Sequence, residues 1–172
     1  NHATAQVGDA MYVDNLRFLQ DDDLISGSTF TLTNKNYGVS LQREVTNHSQ
    51  EAIEMKVLST NPGQWVKMDV KLSSVAGQRS KYLSFDVKKA AAASILWVVV
   101  LDANGKQLGS DLVAETPDGK GWAHYTIDLT QKGLTEGQIG QIATIQFAPN
   151  MVNHATAQVG DAMYVDNLRF LQ

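Results

Sequence analysis

The segment at residues 65–72 (WVKMDVKL) places Val66, Met68, Val70 and Leu72 on one side of the chain and Trp65, Lys67, Asp69 and Lys71 on the other. Successive side chains point to opposite faces only in an extended strand, and no helix of 3.6 residues per turn can bury such a set. The pattern recurs. Residues 52–58 set Ile53, Met55 and Val57 against Glu54 and Lys56, and residues 82–87 set Leu83, Phe85 and Val87 against Tyr82, Ser84 and Asp86. Residues 122–129 set Tyr125, Ile127 and Leu129 against Trp122, His124, Thr126 and Asp128. Residues 142–147 and 163–170 continue the series, and residues 29–33 and 39–45 read as early strands. Residues 95–101 (ILWVVVL) are apolar on both phases, as in a central strand covered on both sides. Turn signals stand between these runs at Asn61-Pro62-Gly63, Asn104-Gly105 and Asp118-Gly119, the second being the clearest hairpin. Residues 88–93 (KKAAAA) read as a bulge or short turn. About nine short strands of this kind predict an all-β, antiparallel β-sandwich.

A second feature bears on organisation. Residues 1–20 and 153–172 are the same sequence, NHATAQVGDAMYVDNLRFLQ. The segment reads as a loop followed by the sandwich's closing strand. The expected division is therefore residues 1–20 as a duplicated closing strand and residues 21–172 as one β-sandwich domain, large enough to bury a core. The duplication has three readings: a preceding repeat of a tandem array, a deliberate duplication, or a device for strand swapping. Residues 163–170 are expected to be the native closing strand, with residues 11–18 a spare lying where the opening strand belongs. Two identical strands compete for one place, so the losing copy is expected to be disordered, to occupy the slot of the missing opening strand, or to pair with a neighbouring molecule as a strand-swapped homo-oligomer. Because the chain opens inside a repeated segment, its natural start is expected to lie upstream.

Composition excludes several classes. Net charge is −4 with no Lys/Arg cluster, which argues against nucleic acid or an anionic membrane as partner. The chain has no cysteine, so disulfides and thiolate metal sites are absent. Its longest apolar run is too short to span a bilayer.

In order along the chain stand SQEAIEMKV, PGQWVKMDVKL, YLSFDVK, VVVLDANGK, GWAHYTIDL, IATIQF and GDAMYVDNLRF. This series resembles the β-jelly-roll carbohydrate-binding modules appended to bacterial polysaccharide-degrading enzymes such as mannanases, glucanases and xylanases. The likeness covers roughly residues 26–172, and "YVDNLRF" and the "GW…YTIDL" strand carry most of it. It implies a jelly roll of the galactose-binding-like type and an extracellular place, secreted or attached to the cell surface. It also implies non-catalytic binding of a plant or microbial polysaccharide of the β-glucan, mannan or xylan class, targeting an attached enzyme to its substrate. One departure stands out: the opening strand of such modules is unrecognisable in Asp21-Asp22-Asp23-Leu24-Ile25.

A pyranose offers an apolar face for stacking and hydroxyls for hydrogen bonding. Trp65 and Trp122 lie on the phase opposite the aliphatic residues and are the leading stackers, with Tyr82 next. His124, Lys67, Asp69 and Gln146 could supply hydrogen bonds from the same phases. Trp97 shares a phase with Ile95, Val99 and Leu101, which reads as core, yet it remains a candidate contact; Tyr125 reads as core alone. Tryptophans at such positions equally well cap sheet edges or pack under loops.

Asp166 sits on an otherwise apolar closing strand. In the family resembled, an aspartate here ligates a structural Ca²⁺ between opening and closing strands. That ion takes six to eight oxygens, and Glu44, Glu51 and Asp161 are the candidates to share it. The bland alternative is an aspartate bonded to a neighbouring turn. No G-x-S-x-G, H-E-x-x-H or P-loop spacing occurs, and no carboxylate pair declares itself as a glycosidase would require, so no enzyme is expected. The competing reading of the whole is a structural repeat unit of a surface adhesin or spacer array with no ligand of its own. The duplication favours that reading.

Overall fold

In the computed structural model ten strands lie among the described residues. The structure describes residues 24, 28–32, 39–44, 52–58, 67–72, 80–88, 96–112, 121–149, 159–160 and 162–171. The strands are β1 (Thr29–Leu32), β2 (Val39–Glu44), β3 (Ala52–Val57), β4 (Met68–Lys71), β5 (Tyr82–Lys88), β6 (Leu96–Leu101), β7 (Gln107–Leu112), β8 (Trp122–Asp128), β9 (Thr144–Pro149) and β10 (Ala162–Leu171). They make two five-stranded sheets, ordered β1-β4-β9-β6-β7 and β2-β3-β10-β5-β8. All pairings are antiparallel, which gives the expected sandwich.

The core lies between the sheets. Ile53, Met55, Leu83, Phe85, Val87, Tyr125, Met163, Val165 and Leu168 enter it from one side and Met68, Val70, Leu96, Val98, Val100, Ile145 and Phe147 from the other. Phe85 joins the halves: its ring stacks on Tyr125 at 5.1 Å and meets Phe147 edge-on, also at 5.1 Å. Such aromatic pairs add roughly 0.5–1.5 kcal/mol to the area they bury.

Three local differences from the sequence reading have physical causes. In β6 the buried residues are Leu96, Val98 and Val100, while Trp97, Val99 and Leu101 face outward and are half-buried. Both phases are apolar, so alternation could not say which faces the core, and the assignment of Trp97 to the core is corrected. The helix α1 (Glu136–Gly140) was not foreseen, although Thr135 and Gln138 form a reciprocal capping box that its sequence spells out. Strand β7 completes the hairpin signalled by Asn104-Gly105. There Asp102 Oδ1 accepts from the backbone N–H of Asn104 and Lys106, both at 2.8 Å, and Gly105 adopts φ 78°.

The strand β10, which covers the run 163–170, lies in mid-sheet between β3 and β5. Beside it, Leu24 N–H donates to Leu168 O at 2.7 Å, and Leu24 packs against the core. The residue found next to the closing strand thus comes from the run 21–25, the stretch in which no opening strand was recognised. Residues 1–20, Asn61-Pro62-Gly63, Asp118-Gly119 and residues 89–93 lie outside the described residues.

Candidate functional site

The outer face of the β2-β3-β10-β5-β8 sheet carries side chains in registered rows. Gln42, Glu54, Tyr164, Lys88 and Trp122 lie side by side across all five strands. The next row holds Asp166, Asp86 and His124; the next, Arg169, Ser84 and Thr126; the last, Leu171, Tyr82 and Asp128. These are the off-core phases of their strands, brought together by antiparallel register.

Two hydrogen-bond networks organise the face. In the first, Glu54 is buried to 5% exposure and accepts from Gln42 Nε2 through Oε1 and from the Tyr164 hydroxyl through Oε2, both at 2.8 Å. A buried carboxylate is tolerable because both oxygens are bonded. In the second, Asp86 Oδ1 meets His124 Nδ1 at 2.6 Å, and Asp86 Oδ2 accepts from Asn167 Nδ2 at 2.7 Å. Arg169 Nη2 donates to Asn167 Oδ1 at 2.9 Å. His124 Nε2 lies 3.4 Å from Ser84 Oγ and 3.3 Å from Thr126 Oγ1. The His124 side chain is 57% exposed, so its outer edge is open to a ligand while Asp86 fixes the ring.

A bulge positions the second network. The β10–β5 register shifts between Asp166 and Arg169, and Asn167 takes φ 50°, the one non-glycine residue with positive φ among those described. Asparagine tolerates this left-handed conformation better than most residues. The extra residue turns the Asn167 amide to bridge Asp86 and Arg169. Asp166 itself is fully buried: Oδ1 accepts from Asn167 N–H at 2.7 Å, and Oδ2 has no hydrogen-bond partner.

At the far end of the face, Tyr82 is 37% exposed with Lys81 Nζ 4.7 Å above its ring. Lys81 Nζ also lies 3.3 Å from Asp128 Oδ2. The Thr130 hydroxyl, with help from Lys81 and the Thr130 and Gln131 backbone, lowers the Asp128 carboxyl to about 2.

The residues singled out from sequence divide between opposite sides of the sandwich. His124, Tyr82 and Trp122 are on this face. Lys67, Asp69, Gln146 and Trp97 belong to the outward phase of the other sheet, where Gln146 Nε2 donates to Asp69 Oδ1 at 2.7 Å. No single ligand groove can collect both sets, and Trp65 lies outside the described residues. Trp122 keeps the expected phase but is only 2% exposed, its ring 6.2 Å from that of Tyr164. It therefore supports the face more than it offers a stacking surface. Gln42, Glu54, Asp86, Tyr164, Asn167 and Arg169 were not singled out. The signal available for them was their off-core phase, which says nothing about cross-strand partners.

For a cation, the point of attraction among the described residues is the buried, unbonded Asp166 Oδ2. No group of three His, Cys, Asp or Glu that could hold a metal ion occurs among the described residues. Glu44 ends β2 opposite Ala52, and Glu51 and Asp161 lie outside the described residues. Ca²⁺ here would take the rest of its oxygens from backbone carbonyls or from undescribed residues.

No family model matches the chain, and no curated protein matches it. Among solved structures, the chain resembles the family 11 carbohydrate-binding module from Clostridium thermocellum in complex with a β-1,3-1,4-mixed-linked tetrasaccharide. The TM-score is 0.53 at 16% identity, over 87% of this chain and 91% of that one. The family 11 module of the cellulosomal cellulase Lic26A-Cel5E of the same organism gives 0.53 at 16% identity, over 90% and 94%. A family 28 module specific for non-crystalline cellulose gives 0.51 at 17% identity, over 88% and 93%. The fold is that of a carbohydrate-binding-module β-sandwich.

Proposed function

We propose that the chain is a non-catalytic carbohydrate-binding module that holds a polysaccharide on the outer face of the β2-β3-β10-β5-β8 sheet. The observation that carries this reading is the pair of networks, Gln42–Glu54–Tyr164 and His124–Asp86–Asn167–Arg169, fixed in adjacent rows of one face. The bonded Glu54 and Asp86 carboxylates hold amide, imidazole and guanidinium groups in place, and such pre-oriented groups can meet sugar hydroxyls while losing little freedom on binding. Tyr82 and the edge of Tyr164 provide apolar surface for ring C–H groups. The binding partners named for the solved structures of like fold, a β-1,3-1,4-mixed-linked tetrasaccharide and non-crystalline cellulose, favour a β-glucan over mannan or xylan as the first ligand to try.

The module would act outside the cell, keeping an attached enzyme near its substrate. No helix among the described residues is long and apolar enough to cross a membrane. Calcium belongs to the proposal as a structural ion at Asp166, where it would neutralise the buried oxygen. The test of function is native affinity electrophoresis in gels cast with mixed-linkage β-glucan, cellulose derivatives, mannan or xylan. Retardation by at least one is expected. Free migration through all of them would favour the second reading, a spacer repeat without a ligand, which the exact duplication of residues 1–20 supports.

A further inference from the structure

Building on the proposed sugar face, we infer that His124 offers its ligand an acceptor, the bare Nε2 of a neutral ring, and that the sugar group docking there is an unsubstituted hydroxyl. The donors and acceptors of the network can be assigned in turn, starting from Arg169. A guanidinium only donates, so the Asn167 atom 2.9 Å from Arg169 Nη2 is the amide oxygen. The Asn167 amide nitrogen therefore faces Asp86 and donates to Oδ2 at 2.7 Å. The flipped amide would set two donors together at one end and two acceptors at the other. Asp86, a carboxylate, only accepts, so the hydrogen in its 2.6 Å contact with His124 sits on Nδ1. A neutral imidazole carries one N–H, and with Nδ1 taken, Nε2 keeps its lone pair. Asp86 is thus a positioning residue that sets the tautomer of His124 as well as the ring's orientation.

The protein's own claims on that lone pair are weak. Ser84 Oγ lies 3.4 Å and Thr126 Oγ1 3.3 Å from Nε2, both beyond the ~2.7–3.2 Å usual between nitrogen and oxygen. Ser84 is buried, but the His124 side chain is 57% exposed and Thr126 beside it is exposed. A ligand hydroxyl arriving from solvent donates to Nε2 and accepts from the Thr126 hydroxyl. The same position carrying an O-methyl or O-acetyl group has no hydrogen to give and sets acceptor against acceptor. The face therefore selects an unsubstituted glycan chain over an etherified or esterified one.

The experiment reads the ring nitrogens of the nitrogen-15-labelled full chain by long-range proton–nitrogen correlation, under conditions where the spectrum shows His124 neutral. His124→Ala identifies its signals among those of the four histidines. Protonated Nδ1 and bare Nε2 are expected. In Asp86→Asn, Asn167 still donates to the oxygen at position 86, so the new amide turns its nitrogen to His124 and the ring proton moves to Nε2. By isothermal titration with mixed-linkage β-glucan, Asp86→Asn, shown folded by denaturation, is expected to bind at least ~10-fold more weakly, as is the unsubstituted chain with O-methylated β-glucan. A proton on Nε2 in the unsubstituted chain overturns the inference. So does an Asp86→Asn variant that moves the proton and binds undiminished, or undiminished binding of the O-methylated glucan. Both glucan results leave the proposed function standing, whereas failure of the unsubstituted chain to bind any polysaccharide overturns that function and the ligand assignment together.

Discussion

Asp86 and Asp166 face each other across β5 and β10, and they are treated in opposite ways. Asp86 has one oxygen on His124 and the other on Asn167, whereas Asp166 is wholly buried with Oδ2 unbonded. A bare buried carboxylate oxygen is costly and draws a cation or a donor. The proposed calcium ion predicts that Ca²⁺ raises the melting temperature over EDTA-treated protein, read by calorimetry. Asp166→Asn should remove that difference.

Glu54 joins β2, β3 and β10 through its two acceptor oxygens. Glu54→Ala leaves the Gln42 amide and the Tyr164 hydroxyl without their acceptor, and the predicted cost is ~2–3 kcal/mol of stability in urea denaturation. Glu54→Gln keeps the size and one acceptor and should cost less. Equal losses would mean that the carboxylate serves only to fill space.

Trp122 was expected to stack against a sugar, and its burial changes the prediction. Trp122→Ala should cost ~3–5 kcal/mol, as removal of a large buried side chain does. The check is chemical denaturation beside polysaccharide affinity. Unchanged stability with lost affinity would return Trp122 to the ligand surface.

Asp128 sets an acid limb. Its carboxyl is lowered from 3.8 to about 2, first by the Thr130 hydroxyl, then by the Gln131 backbone and Lys81. A depressed carboxylate contributes stability that is present above its unfolded pKa and lost as pH falls through the folded value. The window therefore runs from 3.8 down to about 2. Asp128→Asn should show a smaller fall in melting temperature than the unsubstituted chain between those two pH values.

What could be read from the sequence follows its physics. Strands such as β3, β4, β5 and β8 declare themselves because one phase is apolar and the other polar, and that contrast also fixes which side is buried. In β6 both phases are apolar, so Trp97 was placed on the wrong side. The candidate face was legible only strand by strand. His124 and Tyr82 stood out as residue types, but the Glu54–Tyr164 and Asp86–Asn167 bonds depend on the register of strands over 80 residues apart in sequence. The bulge that aims Asn167 has no sequence signature beyond the asparagine itself. For the same reason, residues from both outer faces, His124 and Gln146 among them, entered one candidate set.

The central claim, that sugar binds on the His124 face and not on the Trp97 face, is tested by isothermal titration with whichever polysaccharide or oligosaccharide retains the chain. His124→Ala removes an exposed imidazole and leaves Asp86 Oδ1 without its partner; at a pH and temperature where denaturation shows the variant folded, it is predicted to weaken binding at least ~10-fold, the loss of about one hydrogen bond to a charged or polar partner. Trp97→Ala, on the opposite sheet, is predicted to leave the affinity unchanged. Undiminished affinity in His124→Ala together with lost affinity in Trp97→Ala would contradict the account and move the site to the other side of the sandwich.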